Sequence, residues 1–201
     1  MKIGILNYNA CNLASIYHSI YRIGYDPIII NEKKELKKID KIIIPGVGAA
    51  KSCMDYLRKK ELFNEINNFL DFKKPILGIC LGMQILTKSS EEGKSPGFGW
   101  IPAKTLKFPQ DKILKVPHMG WNTTKIMYQN SITNNINENA RYYFVHSYYV
   151  KVDQQKFSLM KTNYGIDFDS AILKDNIFGV QFHPEKSHKF GIEILKNFSK
   201  L

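Results

Sequence analysis

Pro75-Ile76-Leu77-Gly78-Ile79-Cys80-Leu81-Gly82-Met83-Gln84 is the stretch that decides the fold. Its apolar run predicts a buried strand over Pro75–Ile79 and its continuation a helix over Gly82–Ser89, joined by Gly-x-Cys-x-Gly. The two glycines tolerate a tight strand-to-helix turn and leave room around a strained nucleophile. A helix start places partial positive charge beside the sulfur and favours the thiolate. The N–H of Leu81, unpaired at that start, can point at a developing oxyanion. A buried structural cysteine after a strand would carry the same local pattern, since cysteine is among the most buried residue types.

Upstream of this turn, strands at Lys2–Leu6, Pro27–Ile30 and Lys41–Ile44 alternate with helices over Asn12–Ile23, Ala49–Leu57 and Glu61–Phe72. Four- or five-residue apolar strands separated by helices predict a parallel sheet covered on both faces. Downstream the character changes to β-rich runs at Ile101–Phe108, Asn122–Met127, Arg141–Val150, Phe157–Lys161, Ser170–Leu173 and Ile177–Phe182. These read as an antiparallel extension and the far edge of the sheet, with Asn130–Asn139 as a loop. A last helix near Ser187–Phe198 gathers Phe190, Ile194, Leu195 and Phe198 on one face. No repeat or low-complexity linker interrupts the chain, so residues 1–201 are expected to form one α/β domain. Its core is a central, mostly parallel sheet flanked by helices with an antiparallel β extension.

Composition narrows the function. The 201 residues are 44% hydrophobic and 23% charged, ordinary for a soluble globular protein. No apolar run approaches the roughly 20 residues that cross a bilayer, and the start is too soon polar for a signal peptide. A cytoplasmic location is the expectation. Cys11, Cys53 and Cys80 form no CxxC pair and no disulfide framework, which implies a reducing compartment. The net charge of +11 invites a nucleic-acid reading, but only Arg22, Arg58 and Arg141 of the 29 basic residues are arginines. Scattered lysines, each a solvated point charge, are poor readers of grooves and phosphates. Neither nucleic acid nor membrane is expected as a partner.

A cysteine nucleophile needs a second oxyanion donor and a base. Lys41-Ile42-Ile43-Ile44-Pro45-Gly46-Val47-Gly48 ends a strand in a glycine-rich turn, whose Val47 or Gly48 N–H can approach a substrate carbonyl. Such turns after strands are common. Gly179-Val180-Gln181-Phe182-His183-Pro184-Glu185-Lys186 offers a histidine at a strand end, with a carboxylate two residues on to orient its ring. A surface histidine after a strand would look similar. The five histidines show no metal-ligand spacing, and neither a metal nor another cofactor is expected.

Together, the elbow Gly78–Gln84, the loop Pro45–Gly48 and the run Gln181–Ser187 resemble the class I (triad) glutamine amidotransferases, with a flavodoxin-like fold. Pro117-His118-Met119-Gly120-Trp121-Asn122 and Tyr143-Phe144-Val145-His146-Ser147-Tyr148 are similar to the glutaminase subunits of imidazole glycerol phosphate synthase. The resemblance covers nearly the whole chain and implies a catalytic triad of Cys80, His183 and Glu185. It also implies an oxyanion hole from Val47, Gly48 and Leu81, and glutamine contacts from Gln84, His146, Ser147 and Tyr148. Trp121, Asn122 and Lys186 are implied to face a partner. For Trp121 the alternative is a core aromatic, and for Lys186 a solvated charge.

The implied chemistry is hydrolysis of L-glutamine to glutamate and ammonia. The ammonia would pass to a (β/α)₈-barrel cyclase in a heterodimer of histidine biosynthesis. One departure is visible in Asn7-Tyr8-Asn9-Ala10-Cys11-Asn12, where the family usually carries glycines before the asparagine. It makes Cys11 a second thiol at a strand end, although no flanking glycine or paired histidine accompanies it. It also leaves open a paralogous subunit that feeds a nucleotide-sugar amidotransferase. A free-standing cysteine peptidase or γ-glutamyl hydrolase, and a basic binding module with a dead site, are the remaining alternatives.

Overall fold

The computed structural model describes residues 1–8, 12–109 and 114–201. Asn9, Ala10 and Cys11, and with them the departure noted above, lie outside the described residues. Five strands run parallel in the order β2 (Ile28–Ile30), β1 (Ile3–Leu6), β3 (Lys41–Ile44), β4 (Ile76–Ile79) and β14 (Ile177–Val180). The sheet then turns antiparallel through β13 (Ile166–Lys174), β11 (Tyr148–Val152) and β7 (Ala103–Lys107); the short β5 (Ser89–Ser90) runs parallel to β7 and pairs antiparallel with β6 (Ser95–Pro96) at the edge. β12 (Ser158–Tyr164) pairs with β13 and with β9 (Lys125–Ile126). A separate antiparallel pair, β8 (His118–Thr123) with β10 (Arg141–His146), lies beside the main sheet.

Period-2 alternation assigns the strand residues to two cores. Ile42 and Ile44 of β3 pack on one side with Met54 and Leu57 of α3 (Ala50–Lys59) and Leu62, Ile66 and Phe69 of α4 (Leu62–Asp71). Ile43 points the other way, into a cluster with Ile16 and Ile20 of α1 (Leu13–Arg22) and Ile194, Leu195 and Phe198 of α6 (His188–Lys200). Lys41, at the start of β3, is buried and donates from Nζ to the Ser199 and Phe198 carbonyls at 2.6 and 3.4 Å. It thereby serves the Ser199 carbonyl near the end of α6, and shares the Phe198 carbonyl with the Leu201 N–H.

Four expectations change. Asn122–Met127 is not one strand: Asn122 and Thr123 end β8 in the small sheet, and Lys125–Ile126 form β9 in the large one. Arg141–Val150 is two strands, β10 and β11, because the chain crosses at Ser147 from the small sheet to the large one. The helix after the elbow, α5 (Leu81–Ile85), stops at Ile85 instead of Ser89. Its last carbonyls are taken from outside: the N–H groups of Phe98, Ile101 and Gly99 bond Ile85, Leu86 and Thr87, at 2.7, 3.1 and 3.0 Å. A short helix, α2 (Lys33–Leu36), was not anticipated, and a reciprocal cap between Glu32 and Glu35 starts it.

Candidate active site

Cys80 stands where β4 becomes α5 (Leu81–Ile85). Its φ of 54° and ψ of −110° lie outside the regions open to side-chain-bearing residues, so the elbow holds strain at the sulfur-bearing residue. What holds it is local. The Cys80 N–H donates to Val180 O at 2.8 Å, and Gly82 lets the first turn of α5 press against the Ile44 carbonyl at the end of β3. A β-carbon on Gly82 would overlap that carbonyl, which is why the second glycine of the motif is needed.

The neighbouring strand end carries the base. β14 pairs with β4 in register, Val180 opposite Ile79, so the residues that follow each strand emerge side by side. The turn holding His183 is stapled to β10: His183 N donates to Tyr143 O at 2.9 Å, Tyr143 N to Ser187 Oγ at 3.0 Å, and Ser187 Oγ to His183 O at 2.6 Å. His183 Nδ1 donates to Glu185 Oε1 at 2.8 Å, which leaves Nε2 to exchange a proton elsewhere. Nε2 and Glu185 Oε2 are buried without a hydrogen-bond partner among the described residues. Burial opposes the charged imidazole, but the nearby Cys80 sulfur and Glu185 carboxylate outweigh it and raise its pKa from 6.5 to about 10.

Binding its proton more tightly in the folded than in the unfolded chain, His183 stabilises the fold fully below about pH 6.5 and loses that contribution as pH rises toward 10. Glu185→Gln weakens this, so native and variant should differ more in Tm at about pH 6 than at about pH 10. Calorimetry across that range checks it; a gap that does not narrow would contradict the pairing.

A cavity of about 320 Å³ opens beside Cys80, walled by Val47, Gly48, Leu81, Gln84, Glu92, Pro117 and the run Val145–Tyr148. That is the low end of the roughly 300–1,000 Å³ usual for small-molecule sites and suits one amino acid. All three oxyanion candidates therefore border one space with the sulfur. Tyr8 Oη donates to Pro45 O at 2.9 Å, and Gly46 packs so closely on Leu81 and Gly82 that a β-carbon would collide with them. Gly48 adopts a φ of 99°.

Gln84, His146, Ser147 and Tyr148 also meet at this wall, with a qualification for His146. Its Nδ1 bonds Tyr148 O at 2.7 Å and its Nε2 bonds His118 Nδ1 at 2.9 Å, so neither nitrogen is left for a ligand. Gln84 Nε2 donates to Tyr148 O and to Gln181 Oε1, both at 3.1 Å, which leaves its amide oxygen to face an occupant.

Two contributors were not identified from sequence. Gln181 is fully buried and donates from Nε2 to Cys80 Sγ at 3.6 Å. Its spacing of two from His183 along extended chain, which puts both on one face, was a usable signal. Glu92 accepts the Ala50 N–H at 3.0 Å, acting as the anionic cap of α3 two residues past Gly48, and borders the cavity. Nothing in its irregular segment marked it.

Of the residues implied to face a partner, Trp121 and Lys186 lie on one face of the small sheet, whereas Asn122, the next residue along β8, points to the other face, that of His118. Trp121 is 39% exposed and stacks on His188 at 5.2 Å, while Lys186 Nζ sits 5.7 Å over the Tyr143 ring. Asn122 donates to Asn163 O at 3.0 Å. Met119 beside them is 61% exposed, so this is a surface with apolar content, and Trp121 is not a core aromatic. Among the described residues no group of acidic, histidine and cysteine side chains could hold a metal, and no helix is long and apolar enough to cross a membrane.

Comparison with known proteins gives a consistent picture. The family model for class I glutamine amidotransferases matches residues 5–201. The imidazole glycerol phosphate synthase subunit HisH 2 of Methanococcus maripaludis is 49% identical over 98% of both chains. Subunit HisH of Sulfurimonas denitrificans is 46% identical over 98% of this chain and 97% of its own. Among solved structures, PurLQS from Thermotoga maritima aligns with a TM-score of 0.78 at 18% identity, covering 99% of this chain and 97% of the other, a likeness of fold.

Proposed function

The chain belongs to the class I glutamine amidotransferases and, within them, to the HisH subunits of imidazole glycerol phosphate synthase, and from that premise we propose how its site works. L-Glutamine occupies the cavity beside Cys80. The Cys80 thiolate attacks the side-chain amide carbon, and the N–H groups of Leu81 and of Val47 or Gly48 receive the oxyanion. His183 gives its Nε2 proton to the departing nitrogen, so that ammonia leaves and a γ-glutamyl thioester remains. It then takes a proton from water, which hydrolyses the thioester to glutamate. Glu185 holds the tautomer and stabilises the imidazolium between those steps. Gln84, Ser147 and Tyr148 line the glutamine site, and Glu92 supplies a carboxylate suited to the substrate's ammonium. The single observation that carries this reading is the His183–Glu185 pair at 2.8 Å, delivered by the strand adjacent to the strained Cys80 elbow.

The ammonia passes to a (β/α)₈-barrel cyclase subunit in histidine biosynthesis, docked over Trp121 and Lys186, in the cytoplasm. The nucleotide-sugar alternative is not favoured, since full-length relatives in three genera carry the imidazole glycerol phosphate synthase name. Losing one oxyanion donor costs roughly 3–4 kcal/mol, so a partner that merely reorients the Pro45–Gly48 peptides can switch turnover by orders of magnitude. The isolated chain should hydrolyse glutamine negligibly, and the cyclase with its nucleotide substrate should raise the rate at least a hundredfold. Hydrolysis by the isolated chain that partner and nucleotide leave unchanged would sink this proposal.

A further inference from the structure

His118 has no role in the steps above, yet it is 2% exposed and sits on the strand opposite His146, its direct partner in the β8–β10 register. Its ring lies between Phe144, stacked at 4.7 Å, and Tyr164, stacked at 3.9 Å. Both of its nitrogens are engaged: Nδ1 with His146 Nε2 at 2.9 Å and Nε2 with Asn122 Nδ2 at 3.3 Å.

The proton positions in this run are fixed from both ends. At one end Tyr148 O can only accept, so His146 carries its proton on Nδ1 and must accept at Nε2. At the other, Asn122 Oδ1 accepts the Thr123 N–H at 2.8 Å while its Nδ2 donates to Asn163 O, which sets the amide's orientation. Asn122 therefore donates to His118 Nε2, and His118 must carry its proton on Nδ1. The two assignments meet without conflict at the His118–His146 bond. They require both rings to be neutral, and burial indeed lowers His118 to about 4 and His146 to about 3. Beyond His146, Tyr148 O also takes the Gln84 amide, and Gln84 bonds Gln181, whose Nε2 reaches Cys80 Sγ.

We propose that His118 is a positioning residue of this site: its Nδ1–H fixes the tautomer and ring plane of His146, and through Tyr148 O the Gln84 amide that meets the substrate. This rests on the cavity being the glutamine pocket. If the donor is removed, His146 Nε2 becomes a buried acceptor without a partner. The ring then gains by turning over or shifting its proton, and the bond to Tyr148 O is lost.

The experiment compares His118→Phe, which keeps the stacking and removes the donor, with His118→Asn, whose amide nitrogen can stand near Nδ1. Both are measured as complexes with the cyclase partner. His118→Phe should raise KM for glutamine at least tenfold with kcat within threefold of native, and His118→Asn should stay within threefold on both. Nitrogen-15 spectra of histidine-labelled native chain should show His146 protonated on Nδ1, a signature lost in His118→Phe and kept in His118→Asn. An unchanged KM in His118→Phe, equal damage in both variants, or a native His146 protonated on Nε2 would each overturn the proposal. The last test needs no variant to fold. A native complex that does not hydrolyse glutamine at all would instead remove the glutaminase reading, with the spectra still deciding the role of His118.

Discussion

Replacing Cys80 by alanine is expected to lower glutamine hydrolysis by the native complex about 10⁴- to 10⁶-fold, while synthesis from added ammonium salt stays within a few-fold of native. The first part follows because no other thiol borders the cavity among the described residues, and the thioester has no other sulfur to form on. The second follows because ammonia supplied from solution bypasses Cys80, His183 and Glu185 alike. Steady-state assays with each nitrogen source separate the two. A loss in both would show that the substitution damaged docking or folding, and hydrolysis retained within tenfold would remove Cys80 as the nucleophile. Cys80→Gly makes an informative companion. At a φ of 54° alanine keeps the backbone strain and glycine releases it, so the glycine variant should be more stable than the alanine variant by about 1 kcal/mol and equally inactive. A cysteine that the fold holds at a thermodynamic cost fits the proposed nucleophile better than a structural core residue.

The parallel half of the sheet and the elbow were legible in the sequence because both are local. β3 is buried on both faces, and a run of three isoleucines states that without reference to anything distant. Gly78 and Gly82 declare a close approach that a single strand–turn–helix unit explains. The antiparallel half was less legible, since pairing there is a matter of which strands meet. Arg141–Val150 alternates without a break across two sheets, and only the partners, β8 for one half and β11's neighbours for the other, show where the chain crosses. Gln181 and His118 were inside recognised motifs but had no role assigned. What each does depends on a bond to a residue remote in sequence: Cys80 for one, His146 for the other. Glu92 had no sequence signal at all, because its task is to supply a cap that Ala49 lacks.

Gly82→Ala should destabilise the fold by roughly 3–5 kcal/mol, among the larger effects of single substitutions. At about 2–4 °C per kcal/mol for a chain of this size, that lowers Tm by roughly 6–20 °C. The added carbon would overlap Ile44 O, and both groups are backbone, so no rotamer change can relieve the contact. Only separation of β3 from the first turn of α5 can. Gly24→Ala is the control: at a φ of 94° with nothing within 4 Å of the added carbon, it should cost only about 1 kcal/mol of backbone strain. Equal losses in the two variants, read by calorimetry, would show that close approach at the elbow is not what the motif's second glycine supplies. The same displacement carries a functional cost that stability alone does not. Ile44 leads directly into Pro45–Gly48, so moving it away from α5 moves the Val47 and Gly48 N–H groups away from that of Leu81. The two sides of the oxyanion site then no longer converge on one oxygen. Even at temperatures where Gly82→Ala is folded, kcat for glutamine should fall by about 100-fold, as for loss of one oxyanion donor. Its ammonia-dependent synthesis should remain near native, because ammonia supplied from solution bypasses the oxyanion amides whose spacing the strand-to-helix contact sets.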